Sequence, residues 1–426
     1  MQTQISKPFV IDRQLIRSAY DRVKQNKGSA GIDTVGLKEY EQNLADNLYK
    51  LWNRMSSGSY FPSPVKLVEI PKTQGGTRSL GIPTVNDRIA QMVVVMMIES
   101  RLESIFHPDS YGYRCGRSAH DAIGQARRRC WTYAWALDMD IRQFFDTIPH
   151  DLLMKAIERH INERWILLYI SRWLVVPYEK STGERIERTA GVAQGSVIGP
   201  VLANLFLHYV FDKWMEKNYP SVPFERYADD TIVHCRTLEE AVQMKERIGN
   251  RLMECKLSLN EDKTRIVYCK QDGRKREYAE ISFDFLGYTF RPREARSKSG
   301  HRFTSFLPGI SNKSKKRIME AIRCWRLTGS VHQSLREISE RINPIIRGWI
   351  QYYGKYYPSL LKTFLQTLNY RLVRWACRKY KRLKRSLKAG YRWIGLIAQR
   401  DKLLFYHWSY GIVPSTPKSL RKKSVR

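Results

Sequence analysis

Residues 224–234 read FERYADDTIVH and contain the clearest strand pattern in the chain. Side chains alternate with a period of two on both sides of Ala228-Asp229-Asp230, which is typical of β-strands. The interruption predicts a hairpin with Asp229 and Asp230, the only Asp-Asp pair in the chain, at its tip. By itself, such a pair is more often a solvated turn than a metal site, so its meaning depends on the rest of the chain.

A second period-two segment runs from Trp135 to Ile141 and brings Asp140 to the end of a predicted strand. The simple interpretation of Asp140 is a strand-end carboxylate that caps the following helix. Beside the hairpin, however, it would join Asp229 and Asp230 in a set of three carboxylates. Two hard cations about 4 Å apart require such a set, and they catalyse nucleotide polymerisation. The combination therefore predicts a two-metal polymerase site.

Two cations lie on either side of a second predicted hairpin. A strand-like segment from Val65 to Ile70 stops at Pro71, and a glycine pair at 75–76 makes a turn before another strand begins at Thr77. Lys72 and Arg78 stand on either side of that turn, where both can reach over a triphosphate. The alternative is an ordinary basic hairpin on the surface.

The other segments complete an α+β pattern without βαβ regularity. Helical spacing occurs at 10–55, with a break at the glycine-rich residues 26–31, and again at 86–105, 118–130 and 238–256. Beyond residue 300 strand signals fade and amphipathic helices take over. One of these helices is expected to bury Leu335, Ile338, Ile342, Ile345 and Trp349 on its apolar face.

In order along the chain, the motifs resemble those of group II intron reverse transcriptases over nearly the whole sequence. The matching blocks are NKGSAGID (26–33), EIPK (69–72), RSLGIPT (78–84), SYGYR (110–114), GRSAH (116–120), DIRQFFD (140–146), QGSVIGPVLAN (194–204), YADD (227–230), LN with KT (259–260, 263–264) and FLGY (285–288). The resemblance implies a right-hand polymerase with fingers and palm. It also implies an all-helical thumb and an RNA-binding domain after them.

The same resemblance assigns roles to individual residues. It implies that Asp140, Asp229 and Asp230 are catalytic and that they, with Ile141, hold two Mg²⁺ ions. Lys72, Arg78, Phe145 and Gln194 would bind the nucleotide, with the Phe145 ring excluding a ribose 2′-hydroxyl. An ordinary core aromatic is the other interpretation of Phe145.

Charge is distributed unevenly along the chain. The sequence has 74 Lys and Arg against 41 Asp and Glu, a net charge of +33, which indicates a polyanionic partner. Residues 291–426 hold 33 of the basic and 5 of the acidic side chains, a net +28, and residues 1–290 hold the other +5. The last third is therefore the expected nucleic-acid-binding part.

One predicted helix in this third has an apolar face from Leu361 to Trp375 and a separate stripe of cations. The stripe consists of Arg371, Arg374, Arg378, Lys381, Arg382 and Arg385. A charge stripe is usually a solvated face, but these six cations have almost no acidic neighbours to offset them. We therefore expect them to bind RNA phosphates.

The segment NPIIRGW (343–349) resembles the start of the maturase-specific region, and Trp408 its end. The predicted domains are the reverse transcriptase fingers and palm at 1–290, the thumb and maturase-specific RNA-binding domain at 291–413, and a basic tail at 414–426. No cysteine follows Cys377, and His407 is the only histidine after His332. A C-terminal endonuclease module of the HNH type is therefore not expected.

The expected location is the bacterial cytoplasm or nucleoid. No apolar run approaches the roughly 20 residues that span a bilayer, and the N-terminus MQTQISKPFV has no signal-peptide pattern. The seven cysteines form no CxxC motif, which is typical of reduced thiols.

The carboxylate set and the resemblance together predict an RNA-directed DNA polymerase. The resemblance implies that the protein also binds group II intron RNA and assists splicing and intron mobility by target-primed reverse transcription. Its expected partners are the intron RNA, an RNA template, a DNA primer, target DNA and deoxynucleoside triphosphates. Two alternatives stay open. One is a splicing cofactor with little polymerase activity, and the other is a reverse transcriptase recruited to antiphage defence.

Overall fold

The computed structural model describes residues 7–71, 77–297 and 299–415. These residues form two compact units. The first consists of the chain up to Ala122 together with Trp135–Ile266, and the second consists of Ile123–Ala134 together with the chain from Val267 onward. The predicted Lys72 and the glycine pair at 75–76 lie outside the described residues, as does most of the predicted basic tail.

The first unit contains both helices and short strands. They are α1 (Arg13–Gln25), α2 (Leu37–Gln42), α3 (Leu44–Ser57), β1 (Val65–Pro71), β2 (Thr77–Ile82), α4 (Val85–Glu103), α5 (Ala119–Thr132, which continues into the second unit), β3 (Trp135–Met139), α6 (Phe144–Thr147), α7 (His150–Glu158), α8 (Arg164–Val175), β4 (Tyr178–Glu179), β5 (Arg185–Ile186), α9 (Gly199–Leu207), α10 (Lys213–Asn218), β6 (Phe224–Tyr227), β7 (Asp230–Cys235), α11 (Leu238–Glu254) and β8 (Arg265–Tyr268, at the boundary). A π-helical turn, His208–Asp212, joins α9 to α10.

The central sheet has the strand order β6-β7-β3-β8. β6 and β7 form the hairpin that the sequence predicts, and β3 pairs antiparallel with β7 in a register that places Met139 opposite Thr231. α11 begins where the Thr237 side chain accepts a hydrogen bond from the Glu240 amide, and it buries Ala241, Met244, Ile248 and Leu252. Helical spacing of these apolar residues thus supplies one wall of the core.

A second sheet, ordered β2-β1-β4-β5, contains the basic hairpin. β1 and β2 are antiparallel, with Lys66 opposite Ile82 and Pro71 opposite Thr77. The two predicted strands, on either side of residues 72–76, are therefore confirmed. α4, which follows β2, starts at Thr84, whose side chain accepts a hydrogen bond from the Asp87 amide, and is buried along most of its length.

The second unit is helical apart from one sheet. Its elements are β9 (Phe283–Phe285), β10 (Tyr288–Arg296), β11 (Arg302–Ile310), α12 (Asn312–Cys324), α13 (Leu335–Tyr353), α14 (Pro358–Lys379), α15 (Leu387–Arg400) and α16 (Tyr406–Ser409). The sheet order is β11-β10-β9. A capping box starts α13, where Ser334 and Glu337 each bond the other's backbone amide.

Two details of this unit differ from the sequence analysis. Strand β11 lies beyond residue 300, where helices alone were expected, because its pairing with β10 outweighs a sequence that contains Pro308 and Gly309 and does not alternate cleanly. In α13, Ile345 is 43% exposed and Ile346 is buried with Ile338 and Ile342. The apolar face follows the 3.6-residue helical repeat. It therefore contains Ile346 in place of the predicted Ile345.

Candidate active site

The tip of the β6–β7 hairpin is a two-residue turn of Ala228 and Asp229. Tyr227 pairs with Asp230 across the turn, and Ala228 takes the left-handed conformation with φ 58°. The buried Arg226 side chain donates a hydrogen bond of 3.1 Å to the Ala228 carbonyl and two bonds, of 2.7 and 2.6 Å, to Asp212. The buried guanidinium is hydrogen-bonded to the carbonyl that precedes Asp229, and this bond stabilises the backbone conformation of the turn.

Asp140 follows the last residue of β3. Since Met139 pairs with Thr231, the next position along β3 lies beside Asp230 at the start of β7. The structure therefore brings the ends of both strands together, as the sequence predicts. The Asp140 carboxylate accepts hydrogen bonds from Asn260 Nδ2 at 3.0 Å and Lys263 Nζ at 2.9 Å.

The pKa of Asp229 depends on its burial and on neighbouring charges. Burial raises the pKa of Asp229, and the negative charge of Asp140 raises it further, whereas Arg78 and Lys263 oppose the shift. A half-buried carboxylate with a like charge nearby is stabilised by a cation. Carboxylate oxygens are also the ligands that Mg²⁺ prefers.

The carboxylates are not arranged as a complete metal site. Within residues 7–71, 77–297 and 299–415, no three acidic, histidine or cysteine side chains lie close enough together to enclose a metal ion. The Lys263 ammonium is bonded to Asp140, so a carboxylate oxygen that a metal needs is already paired. The role predicted for Asp140, Ile141, Asp229 and Asp230 as metal ligands therefore stays a prediction.

Two of the predicted nucleotide-binding residues are in direct contact. Arg78, on β2, donates a hydrogen bond of 2.6 Å from Nε to Gln194 Oε1. The Gly81 amide donates to the Gln194 carbonyl at 2.7 Å, and a Cβ at Gly195 would lie 2.5 Å from the Gly81 oxygen. A glycine at 195, with φ 110°, is thus required for this close approach of the basic hairpin.

Phe145 and its neighbour Phe144 have different environments. Phe144 is 2% exposed and belongs to the core, whereas Phe145 is half-buried with its ring edge-to-face against Phe144, centroids 5.2 Å apart. The Phe145 carbonyl accepts a hydrogen bond from the Val192 amide at 2.7 Å. The core interpretation therefore fits Phe144 better than Phe145.

Asn260 and Lys263 belong to one of the family-like motifs, but the motif alone assigns them no role. They lie about 120 residues from Asp140 along the chain, and only the fold shows that both donate to it. Arg226 and its partner Asp212 were not singled out. The only signal available was a charged residue directly before the YADD turn in a segment of alternating side chains.

In the second unit, the predicted cation stripe is not one helical stripe. Helix α14 ends at Lys379 because Tyr380 takes an extended conformation, and Lys381 and Arg382 lie in a 3₁₀ turn, with Arg385 after it. Arg374 and Arg378 are exposed on α14 and Arg371 is half-buried. The prediction of one continuous helix is wrong, and RNA binding by these cations stays a prediction.

Comparisons with known proteins agree with this architecture. The family described as reverse transcriptase (RNA-dependent DNA polymerase) matches residues 70–290, and the group II intron maturase-specific domain matches residues 315–393. The reverse transcriptase match covers more than half of the chain and defines a template-directed polymerase. The chain belongs to the reverse transcriptase family and also carries a group II intron maturase-specific domain.

Three relatives have related sequences. Protein YkfC of Escherichia coli is 31% identical over 322 residues, which are 65% of this chain and 80% of that protein. The group II intron-encoded protein LtrA of Lactococcus lactis is 30% identical over 265 residues, 61% of this chain and 42% of LtrA. A putative COX1/OXI3 intron 1 protein of Saccharomyces cerevisiae is 30% identical over 202 residues, 47% of this chain and 24% of its own length.

These findings confirm the predicted α+β class, the reverse transcriptase and the helical C-terminal region with its maturase domain. The chain spans less than half of LtrA and of the yeast protein. Among the helices that the structure describes, none is long and apolar enough to cross a membrane.

Proposed function

We propose that this chain is an RNA-directed DNA polymerase that works with group II intron RNA, copying RNA onto a DNA primer and assisting intron splicing and mobility by target-primed reverse transcription. The observation that carries the proposal is the meeting of Asp140 with the Asp229-Asp230 turn, in a chain whose second unit contains a maturase-specific domain. RNA template, DNA primer, target DNA and deoxynucleoside triphosphates are the proposed partners. Its proposed location is the bacterial cytoplasm or nucleoid.

Asp140, Asp229 and Asp230, with the Ile141 backbone, would hold two Mg²⁺ ions. The ions would supply activation of the primer 3′-hydroxyl and neutralisation of the triphosphate. Arg78, with Lys72, binds the triphosphate, and Gln194 orients the Arg78 guanidinium through their hydrogen bond. Phe145 lies at the position proposed to exclude a ribose 2′-hydroxyl. Residues 1–290 carry this chemistry, residues 291–413 bind the intron RNA, and a basic tail follows at 414–426.

Two measurements on the full chain test the proposal. Extension of a DNA primer on an RNA template with deoxynucleotides and Mg²⁺ tests the polymerase. Splicing of a transcript that contains the intron around the chain's own coding sequence, with and without protein, tests the maturase role. Splicing without extension would favour a pure cofactor. Extension without any cognate intron would favour a defence enzyme.

A further inference from the structure

A cavity of about 220 Å³ lies in the first unit between α7, α11 and the π-helical turn. Its apolar wall is formed by Leu152, Ala156, Phe206, Val210 and Cys255. None of these residues belongs to the proposed polymerase site. Ligand pockets for whole drug-sized molecules are larger, roughly 300–1,000 Å³, so this cavity has room for about one ring system.

The π-helical turn shapes one side of the cavity. Arg251 donates a hydrogen bond of 3.1 Å from Nε to the Val210 carbonyl and one of 3.4 Å from Nη2 to the Tyr209 carbonyl. Its Nη1 pairs with Glu254 at 3.1 Å, which offsets its charge. Arg251 therefore holds the wall in place. Turns of this kind are rare and occur frequently at functional sites.

Two exposed cations lie at the rim. Lys155 is on α7 and Arg159 caps the end of that helix, one helical turn later. In the part of the chain that the structure describes, neither forms an ion pair with a carboxylate. The Arg159 guanidinium lies 5.5 Å from the centroid of the Tyr209 ring, whose hydroxyl is hydrogen-bonded to His160 Nε2. Like charges one turn apart repel, so an anion between them would be stabilised.

We propose that this cavity, here called the palm cavity, binds one unpaired RNA nucleotide. The base enters the apolar cavity beside Phe206 and Tyr209, and its phosphates bind Lys155 and Arg159. An apolar cavity with aromatic side chains in its lining and two cations one turn apart at its rim offers the contacts by which unpaired nucleotides are recognised. The inference rests on the proposed function, because that function supplies RNA as the partner.

The test measures binding of the full chain to a short unstructured single-stranded RNA and to an RNA duplex of equal length across a salt series. Three variants are compared with the wild type. Lys155→Gln with Arg159→Gln removes the rim charges, and Ala156→Phe fills the cavity without changing charge. Lys50→Gln with Arg54→Gln is the matched control, since these cations are also exposed and one turn apart, on α3, and are not part of the cavity.

We expect both cavity variants to bind the single strand about tenfold more weakly, with duplex binding unchanged. For Ala156→Phe this is the size of one lost base contact. The rim variant should also lower the slope of log affinity against log salt by about 1.4, which is 0.7 for each phosphate contact. Ala156→Phe should leave the slope unchanged. Melting temperature and primer extension show which variants fold, so the rim variant keeps the test valid if Ala156→Phe does not.

Unchanged single-strand affinity in a folded cavity variant would overturn the proposal, as would an equal loss in the α3 control. An acidic, phenylalanine-containing peptide serves as a third probe. If the cavity variants lose this peptide but keep the RNA, the cavity belongs to a protein partner and the proposal is wrong. Failure of the wild type to extend primers would contradict the proposed function. The binding results would still test the palm cavity, because they do not depend on primer extension.

Discussion

The Lys263 ammonium lies 2.9 Å from the Asp140 carboxylate, so the residue proposed to bind metal is already paired with a cation. The Asn260 side-chain amide donates to the same oxygen, at 3.0 Å. A metal ion that binds Asp140 must therefore compete with Lys263.

Replacement of Lys263 by Gln is expected to lower the Mg²⁺ concentration that gives half-maximal extension by up to about fivefold. An exposed ion pair contributes roughly 0.2–1 kcal/mol, and 1 kcal/mol is about a factor of five. Lys256→Gln is the matched control, because Lys256 pairs with Asp151 at 2.8 Å. Titration of Mg²⁺ at fixed nucleotide measures both. An unchanged or increased Mg²⁺ requirement in Lys263→Gln would contradict the competition.

Replacement of Asp229 by Asn should raise the melting temperature in EDTA at neutral pH. The pKa of Asp229 is raised above its ordinary value of 3.8, chiefly by burial. The folded state therefore binds the proton more tightly than the unfolded state does, and stability falls as pH rises through the folded pKa. The penalty is complete once the pH exceeds the folded pKa, and the neutral amide avoids it. If Asp229→Asn and the wild type have equal melting temperatures at every pH from 4 to 8, this effect of burial is contradicted.

Phe145→Ala should increase ribonucleotide incorporation relative to deoxynucleotide by about tenfold or more, since one steric contact is worth roughly 1–3 kcal/mol. Single-nucleotide extension measures the ratio. The adjacent Phe144→Leu is the control, because Phe144 is 2% exposed; it should cost about 1 kcal/mol of stability and leave the ratio unchanged. If both variants keep the wild-type ratio, Phe145 is not the residue that excludes the 2′-hydroxyl.

Replacing Arg374, Arg378 and Arg385 together by Gln should weaken intron RNA binding and splicing far more than synthesis on a short primed template. Of the net charge of +33, +28 lies after residue 290, whereas the proposed catalytic residues lie before it. If each cation meets one phosphate, the salt slope of RNA affinity should fall by roughly 2 to 3. An unchanged slope would mean that these cations are solvated and contact no phosphate. An equal loss of RNA binding and of synthesis would mean that they bind any duplex, including the primed template.

The sequence predicts the local elements of the site well. The YADD turn, the strand before Asp140 and the two strands of the basic hairpin follow from side-chain alternation over a few neighbouring residues, and the structure has all of them. What could not be predicted depends on contacts between distant segments. The pairing of Lys263 with Asp140 spans 123 residues, and the Arg226–Asp212 pair is visible only once the π-helical turn is placed behind the hairpin.

The same limit applies to the C-terminal third. A helical wheel drawn through residues 371–385 places six cations on one stripe, but the extended backbone at Tyr380 ends the helix first. The sequence around Tyr380 contains neither glycine nor proline, the residues that usually indicate the end of a helix. Strand β11 was missed because a partner strand, rather than its own alternation, stabilises it.

The central claim is that Asp229 helps to bind the catalytic metal, and the most direct test is the Mg²⁺-dependent rate of primer extension on an RNA template by Asp229→Asn. Asp138→Asn, which changes a carboxylate two residues before Asp140, is the control and should stay within about tenfold of wild type. Loss of metal assistance worth several kcal/mol predicts that Asp229→Asn falls to about 1% of the wild-type rate or less. A folded Asp229→Asn protein that extends primers within about tenfold of wild type would contradict the assignment.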